Sequence, residues 1–268
     1  MSSVYLLGHP VAHSLSPAMH NAAFAVLGLP HRYETRDVEP ERLADTFEAL
    51  RRDDVLGANV TIPHKEAALR LVDEVAEQAR RVGAVNTVMR RASRLIGDNT
   101  DGYGFARALA EVRADIGGRE VLVLGAGGAA RACIVELQTA RAVIVASRGF
   151  DRARALVSSL PSARARAIPW DEARRLARVD VLVNATPIGM QGEDLMSAFA
   201  FERMPPVVVD LVPTRAPTPL VRRAREAQDV RVVDGLLMLL HQAARSFALW
   251  TGREAPLPAM RAALPRAI

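Results

Sequence analysis

One basic side chain in this sequence differs from all the others. Lysine and arginine together number 35, and Lys65 is the single lysine among them. Arginine stays protonated in proteins, whereas lysine can surrender its proton when its surroundings favour the neutral form. A lone lysine on an arginine background is therefore a candidate acid/base group, although composition alone favours a leftover surface lysine. Lys65 closes the stretch Gly57-Ala58-Asn59-Val60-Thr61-Ile62-Pro63-His64-Lys65, in which Asn59, Thr61 and His64 are also polar. His64 is a weaker candidate for the same chemistry.

A second cluster suggests anion binding. Val121-Leu122-Val123-Leu124 reads as a buried strand, and Gly125-Ala126-Gly127-Gly128-Ala129-Ala130 follows at once, opening a helix. This is G-x-G-x-x-A in the dinucleotide-binding context. Gly125 allows the tight turn, Gly127 lets backbone approach a pyrophosphate, and Ala130 lets the helix pack closely on the sheet. The free N–H groups at the helix start, through Gly128 and Ala129, would hold phosphate. The next strand ends in Ser147-Arg148-Gly149, with Arg152 one helical turn on. An NAD site places a carboxylate there for the ribose diol. Guanidinium groups instead suit a 2′-phosphate, so NADP is the expected cofactor.

The elements that must carry these groups follow from periodicity. Strands are expected at 4–8, 32–37, 56–60, 85–90 and 94–98, with helices at 17–27, 41–51 and 64–82. From 102 the pattern becomes helix 102–112, strand 120–124, helix 127–138, strand 142–146, and helices 151–159 and 171–177. Strands 181–184, 207–210 and 230–233 follow, with helix 218–227 among them. Helices at 235–251 and 256–265 end the chain. Ser16-Pro17 reads as an N-cap followed by a first-turn proline. Alternating strands and helices imply parallel βαβ units in open sheets.

Composition narrows the function classes. The chain has 268 residues, half of them hydrophobic and 24% charged, which allows two ordinary α/β domains. Aromatic residues make up 4%, too few for a base-stacking platform, so no nucleic-acid partner is expected despite the net charge of +5. Cys133 is the only cysteine, which rules out an intrachain disulfide and fits a reducing compartment; it is expected to pack inside the helix after the glycine loop. His9, His13 and His20 match no compact zinc spacing, so no metal is expected. No apolar run reaches membrane-spanning length and no leader precedes the first strand, so a cytoplasmic location is expected.

Several motifs together closely resemble the shikimate dehydrogenase family. They are Gly8-His9-Pro10-Val11-Ala12-His13-Ser14-Leu15-Ser16-Pro17-Ala18-Met19-His20-Asn21, Asn59-Val60-Thr61-Ile62-Pro63-His64-Lys65, Gly83-Ala84-Val85-Asn86-Thr87 and Gly97-Asp98-Asn99-Thr100-Asp101-Gly102. Asn184-Ala185-Thr186-Pro187-Ile188-Gly189-Met190 and Asp234-Gly235-Leu236-Leu237-Met238-Leu239-Leu240-His241-Gln242-Ala243 match as well. The resemblance implies an α/β fold. A substrate domain would comprise 1–101 and 236–268, closed by C-terminal helices, and a Rossmann-type NADP domain would comprise 102–235.

The resemblance also implies site roles. Ser14 and Ser16 would bind the substrate carboxylate, and Asn59, Thr61, Asn86, Asp101 and Gln242 the ring hydroxyls, with Lys65 and Asp101 as the catalytic pair. NADP would contact Gly125, Ala126, Gly127, Gly128, Ala129, Ser147, Arg148, Arg152, Thr186, Leu211, Gly235 and Met238. The implied reaction is the reversible reduction of 3-dehydroshikimate to shikimate by a monomer or homodimer. The chain departs from the family pattern at Asp210–Leu220, where Pro213 stands in place of a tyrosine and Arg215 in place of a proline. Ser147 and Gly149 likewise replace an asparagine and a threonine. A quinate/shikimate dehydrogenase with looser selectivity is the alternative. A non-catalytic ligand sensor on the same fold is another, although mere sensing needs no Lys65–Asp101 pair.

Overall fold

The computed structural model describes residues 1–160 and 164–265; the last three residues of the expected segment 236–268 lie outside the described residues. The chain forms two compact units. One comprises Met1–Gly104 and Leu240–Pro265, the other Phe105–Leu239. The chain passes between them inside two helices, α4 (Asp101–Glu111) and α9 (Gly235–Thr251), a few residues beyond the expected boundaries.

The first unit is built on a six-stranded mixed sheet. Its strands are β1 (Ser2–Gly8), β2 (His31–Asp37), β3 (Val55–Val60), β4 (Glu74–Val75), β5 (Thr87–Arg91) and β6 (Arg94–Asp98), in the order β2-β1-β3-β5-β6-β4. β1 runs parallel to both β2 and β3, while β5 is antiparallel to β3 and β6. The edge strand β2 keeps Tyr33 buried and presents charged residues outward, which discourages pairing with another chain. Tyr5, Leu7, Phe47, Leu50, Val60, Val88 and Leu95 belong to one core cluster. A second is aromatic, joining His20 and Phe24 of α1 (Ser16–Val26) to Tyr33, Phe247 and Trp250. Helices α2 (Leu43–Ala49) and α3 (Glu77–Val82) complete the helical part of the N-terminal segment.

The second unit carries six parallel strands: β7 (Glu120–Leu124), β8 (Ala142–Ser147), β9 (Ala165–Pro169), β10 (Val181–Asn184), β11 (Val207–Asp210) and β12 (Arg231–Val233). Their order is β12-β11-β10-β7-β8-β9. This doubly wound order reverses between β7 and β10, the switch point at whose strand ends open α/β sheets bind ligands. β7, β10 and β11 are short aliphatic runs buried along almost their whole length, as strands covered on both faces must be. The connecting helices are α5 (Gly128–Glu136), α6 (Phe150–Ser158), α7 (Trp170–Ala173) and α8 (Pro219–Glu226); α10 (Leu257–Ala262) follows α9 in the first unit.

Three sequence expectations need correction. The stretch 64–82 is not one helix: it splits into a 3-10 turn at Ala67–Arg70, strand β4 and α3. The backbone N–H groups of Asp73 and Ala76 bond to Leu95 O and Gly97 O, so pairing with β6 outcompetes helix propagation. Strand β9 has no counterpart among the expected elements. It is an edge strand whose one well-buried side chain, Ile168, gives almost no alternation signal. Ser16 is not an N-cap either. Leu15 holds that position, and Ser16 is already helical, its N–H bonded to Ser14 Oγ at 3.2 Å.

Candidate active site

In the first unit, the polar residues singled out in the sequence converge where β3, β5 and β6 meet α4 and α9. Lys65 Nζ donates to Asp101 Oδ2 at 2.5 Å, with both side chains largely shielded from water. The other carboxylate oxygen, Oδ1, accepts from Asn86 Nδ2 at 2.8 Å. Asp101 opens α4, and its own N–H is taken by Asn99 Oδ1 at 3.0 Å. Both carboxylate oxygens and the backbone are thus fixed, which leaves Asp101 little freedom to swing.

Asn86 sits at the centre of this array. Besides Asp101, its amide nitrogen reaches Thr100 Oγ1 at 3.0 Å and Gln242 Oε1 at 3.5 Å. Its carbonyl oxygen accepts from Thr100 N at 2.8 Å and Thr87 Oγ1 at 2.9 Å. Asn59 is more completely engaged. Its Oδ1 accepts from the Tyr33 hydroxyl at 2.8 Å, while its Nδ2 faces Asn86 O, Thr87 Oγ1 and Ser246 Oγ at 3.0–3.2 Å. Both ends of the Asn59 amide are spent on the protein, so it braces the site. Burial pushes the Tyr33 phenol well above its ordinary range, opposed in part by its contact with Ser16. Tyr33 therefore stays a neutral donor to Asn59, with Ser16 beside its oxygen and next to the same array.

The structure adds Tyr33, Thr87, Thr100 and Ser246 to the residues expected from sequence. Ser246 lies 2.8 Å from Thr87 Oγ1 and 3.1 Å from Thr100 Oγ1, and donates back to Gln242 O at 3.1 Å. Its position four residues after Gln242 on the same helix was the available signal, because i and i+4 share a face. Thr61 follows β3, its N–H bonded to Leu7 O at 2.8 Å and its methyl group close to Gly8. His64 is buried and turned away: its Nε2–H donates to Val38 O at 2.7 Å, which removes it as a proton donor beside Lys65.

In the second unit the glycine loop fits a dinucleotide. Gly125 has φ +112°, and a Cβ there would lie 2.7 Å from Ala185 O, so the loops after β7 and β10 touch across the switch point. A Cβ on Gly127 would meet nothing within 4 Å, which leaves backbone open to approach at the N-terminus of α5. Ala126, Gly128 and Ala129 are partly open in the same turn, and Ala130 and Cys133 are buried against the sheet. Ser147 closes β8, and Arg148 and Arg152 are exposed beyond it. A Cβ on Gly149 would reach the Arg152 stem only in ordinary van der Waals contact, at 3.4 Å. Thr186 and Leu211 follow β10 and β11, and Gly235 and Met238 open α9. Gly235 packs on Val212, whose carbonyl a Cβ would meet at 2.3 Å.

Among the described residues no group of His, Cys, Asp and Glu is arranged to hold a metal, and no helix is long and apolar enough to cross a membrane.

A doubly wound dinucleotide unit, combined with a unit that holds a buried lysine–carboxylate pair among amides and hydroxyls, defines an α/β dehydrogenase. Similarity to known proteins gives the family. The profile described as shikimate dehydrogenase substrate binding domain matches residues 6–88, that of shikimate / quinate 5-dehydrogenase 107–235, and that of the shikimate 5'-dehydrogenase C-terminal domain 235–264. The NADP(+) shikimate dehydrogenase of Symbiobacterium thermophilum is 44% identical, with 96% of this chain and 92% of the relative covered. That of Methanopyrus kandleri is 45% identical, covering 97% and 94%. The crystal structure of Thermus thermophilus shikimate 5-dehydrogenase in complex with NADP(H) and shikimate is 40% identical, with a TM-score of 0.86 and 98% of each chain covered. The chain belongs to the shikimate dehydrogenase family.

Proposed function

We propose that the protein catalyses the reversible NADP-dependent interconversion of 3-dehydroshikimate and shikimate. The observation that carries this reading is the 2.5 Å Lys65–Asp101 ion pair set in a buried array of amide and hydroxyl groups. A trihydroxy cyclohexene acid is small and almost wholly polar, and hydroxyl positions are told apart only by directed donors and acceptors. Asn86, Asp101, Gln242 and Thr61 supply these for the ring, and Ser14 and Ser16 for the carboxylate. Asn59, also expected at the ring hydroxyls, holds Asn86 and Thr87 in register.

When bound, the reduced dinucleotide supplies a hydride to the ketone carbon. Negative charge then grows on the ketone oxygen, and Lys65 Nζ donates a proton to it, taking one back in the reverse direction. Asp101 Oδ2 steers the amine while Asn86 keeps the carboxylate still. N–H groups at the start of α5 would hold its phosphates, Arg148 and Arg152 would meet the 2′-phosphate, and Ser147, Thr186, Leu211, Gly235 and Met238 would complete the cofactor border. The single buried cysteine and the NADPH requirement fit a cytoplasmic enzyme, acting as a monomer or homodimer.

A spectrophotometric screen of shikimate and quinate, each with NADP and with NAD, tests the reading. Shikimate with NADP is expected to give the highest kcat/KM, and no turnover with any pair would overturn it. Pro213, which brings no hydroxyl where the family pattern has a tyrosine, favours measurable quinate oxidation as the second outcome.

A further inference from the structure

The strands β10 and β11 each end an aliphatic run in a fully buried polar residue, Asn184 and Asp210, and the two are register partners. Three donors converge on the Asp210 carboxylate. Asn184 Nδ2 and Val212 N reach Oδ1 at 2.9 and 3.3 Å, and the Thr218 hydroxyl donates to Oδ2. Asn184 passes the constraint on: its Oδ1 accepts from Thr186 N at 3.1 Å and Thr186 Oγ1 at 2.6 Å, and its Nδ2 also reaches Ile188 O at 3.0 Å. Thr218 in turn caps α8 by accepting from Val221 N, and its side chain lies where a Cβ on Gly189 would meet it at 3.3 Å. The loop after β10 and the loop after β11 are therefore one hydrogen-bonded body with Asp210 at its centre.

We propose that Asp210 is a positioning residue for the dinucleotide, a buried acceptor that fixes the Thr186 and Leu211 loops against the glycine loop at the sheet's switch point. The proposal rests on the cofactor-binding reading above. It adds that cofactor affinity depends on a side chain that does not itself touch the cofactor. The contact of Ala185 with Gly125 gives the path: a shift of the loop after β10 moves the wall of the phosphate turn. A carboxylate accepts all three hydrogen bonds at once, whereas an amide would turn an N–H towards Asn184 Nδ2 and Val212 N or make the Thr218 hydroxyl give up its donor role. Burial raises the Asp210 carboxyl above its ordinary value, and the hydrogen bonds from Thr218, Val212 and Asn184 oppose that rise.

The test compares Asp210→Asn, Thr218→Val and Thr218→Ser with the unmodified enzyme. Dissociation constants for NADPH come from fluorescence titration, KM for NADP and for shikimate from steady-state kinetics, and Tm from unliganded protein. Asp210→Asn and Thr218→Val are expected to weaken NADPH binding and raise KM for NADP by about 10-fold, the size of one lost buried hydrogen bond, with KM for shikimate within about 2-fold. Thr218→Ser, which keeps the hydroxyl, is expected to restore NADPH binding to the unmodified level. Equal losses for NADP and shikimate, or a Thr218→Ser as weak as Thr218→Val, would overturn the positioning role. If Asp210→Asn fails to fold, the Thr218 pair decides alone. Failure of the unmodified enzyme to bind NADPH would instead overturn the cofactor reading, so the two failures are distinguishable.

Discussion

Lys65 is the only side-chain amine in the chain, and that makes its role open to direct chemical test. Reductive methylation should modify one side chain besides the N-terminus, and saturating shikimate should slow both the modification and the loss of activity. Lys65→Arg keeps a positive charge but removes a group able to give up a proton, so turnover should fall by roughly 10²–10⁴-fold. NADPH binding, measured by fluorescence, should change little. The Lys65→Arg/Asp101→Asn double variant should lose less than the product of the single losses, because the 2.5 Å pair acts as a unit. Near-normal turnover in Lys65→Arg would reduce Lys65 to a fixed charge and pass the proton transfer to water, since His64 is committed to Val38 O. Arg148 poses a different question of discrimination. Its guanidinium is exposed at the end of β8, where no carboxylate stands, so Arg148→Ala should raise KM for NADP by about 10-fold and leave that for NAD nearly unchanged. Equal losses for both cofactors would show that Arg148 does not read the 2′-phosphate.

At the scale of elements, the meeting of β3, β5 and α9 depends on a residue with no side chain. Gly57 has φ +157°, and a Cβ there would lie 2.0 Å from Val88 O and 2.8 Å from Trp250 Nε1. Trp250 Nε1 donates to that same Val88 O at 2.9 Å, so helix and strands are locked together at this point. Gly57→Ala should cost about 3 kcal/mol or more through overpacking and backbone strain, read as a drop in Tm or denaturant midpoint. A Tm within a degree of the unmodified protein would show that the contact yields. Elements built on short unbroken aliphatic runs, such as β7, β8, β10 and β11, were legible in the sequence because their neighbours bury both faces. The break in 64–82 was not, because strand pairing by Asp73 and Ala76 is non-local. Neither was β9, whose sequence Ala165-Arg166-Ala167-Ile168-Pro169 carries no alternation. The site followed the same rule. Lys65, Asn86, Asp101 and Gln242 stood out by residue type within motifs, and the structure brings them together. Tyr33 carries no comparable signal, and Ser246 only its place one helical turn after Gln242; the packing of β2 and α9 brings both to Asn59.

At the scale of the whole molecule, charge and burial couple stability to pH. The net charge of +5 suits an enzyme whose ligands are a polyanionic dinucleotide and a carboxylate. Acid tolerance is set partly by a residue that the chemistry does not use. His20 of α1 is wholly buried, stacked on Tyr33 with ring centroids 4.4 Å apart, and flanked by Trp250 at 5.2 Å and Phe247 at 6.4 Å. Neither ring nitrogen has a hydrogen-bond partner among the described residues. Burial lowers its pKa from 6.5 to about 3. The folded protein therefore keeps His20 neutral where the unfolded chain binds a proton. Its contribution to stability is intact above the unfolded value, falls as the pH drops below it, and is fully lost only near the folded value. By about pH 5 the loss amounts to about 2 kcal/mol, a large fraction of ordinary domain stability. His20→Phe removes the titrating group and keeps a ring against Tyr33. It also removes two buried polar atoms that lack partners, so stability near neutrality should be equal or higher. Denaturant unfolding followed by tryptophan fluorescence should report on this region directly, because Trp250 packs against the same ring. The unmodified protein should lose stability steeply between about pH 6.5 and pH 4.5, while His20→Phe follows a shallower line set by the other groups. Parallel pH profiles for the two proteins would mean that His20 is reached by water and titrates normally in the folded state.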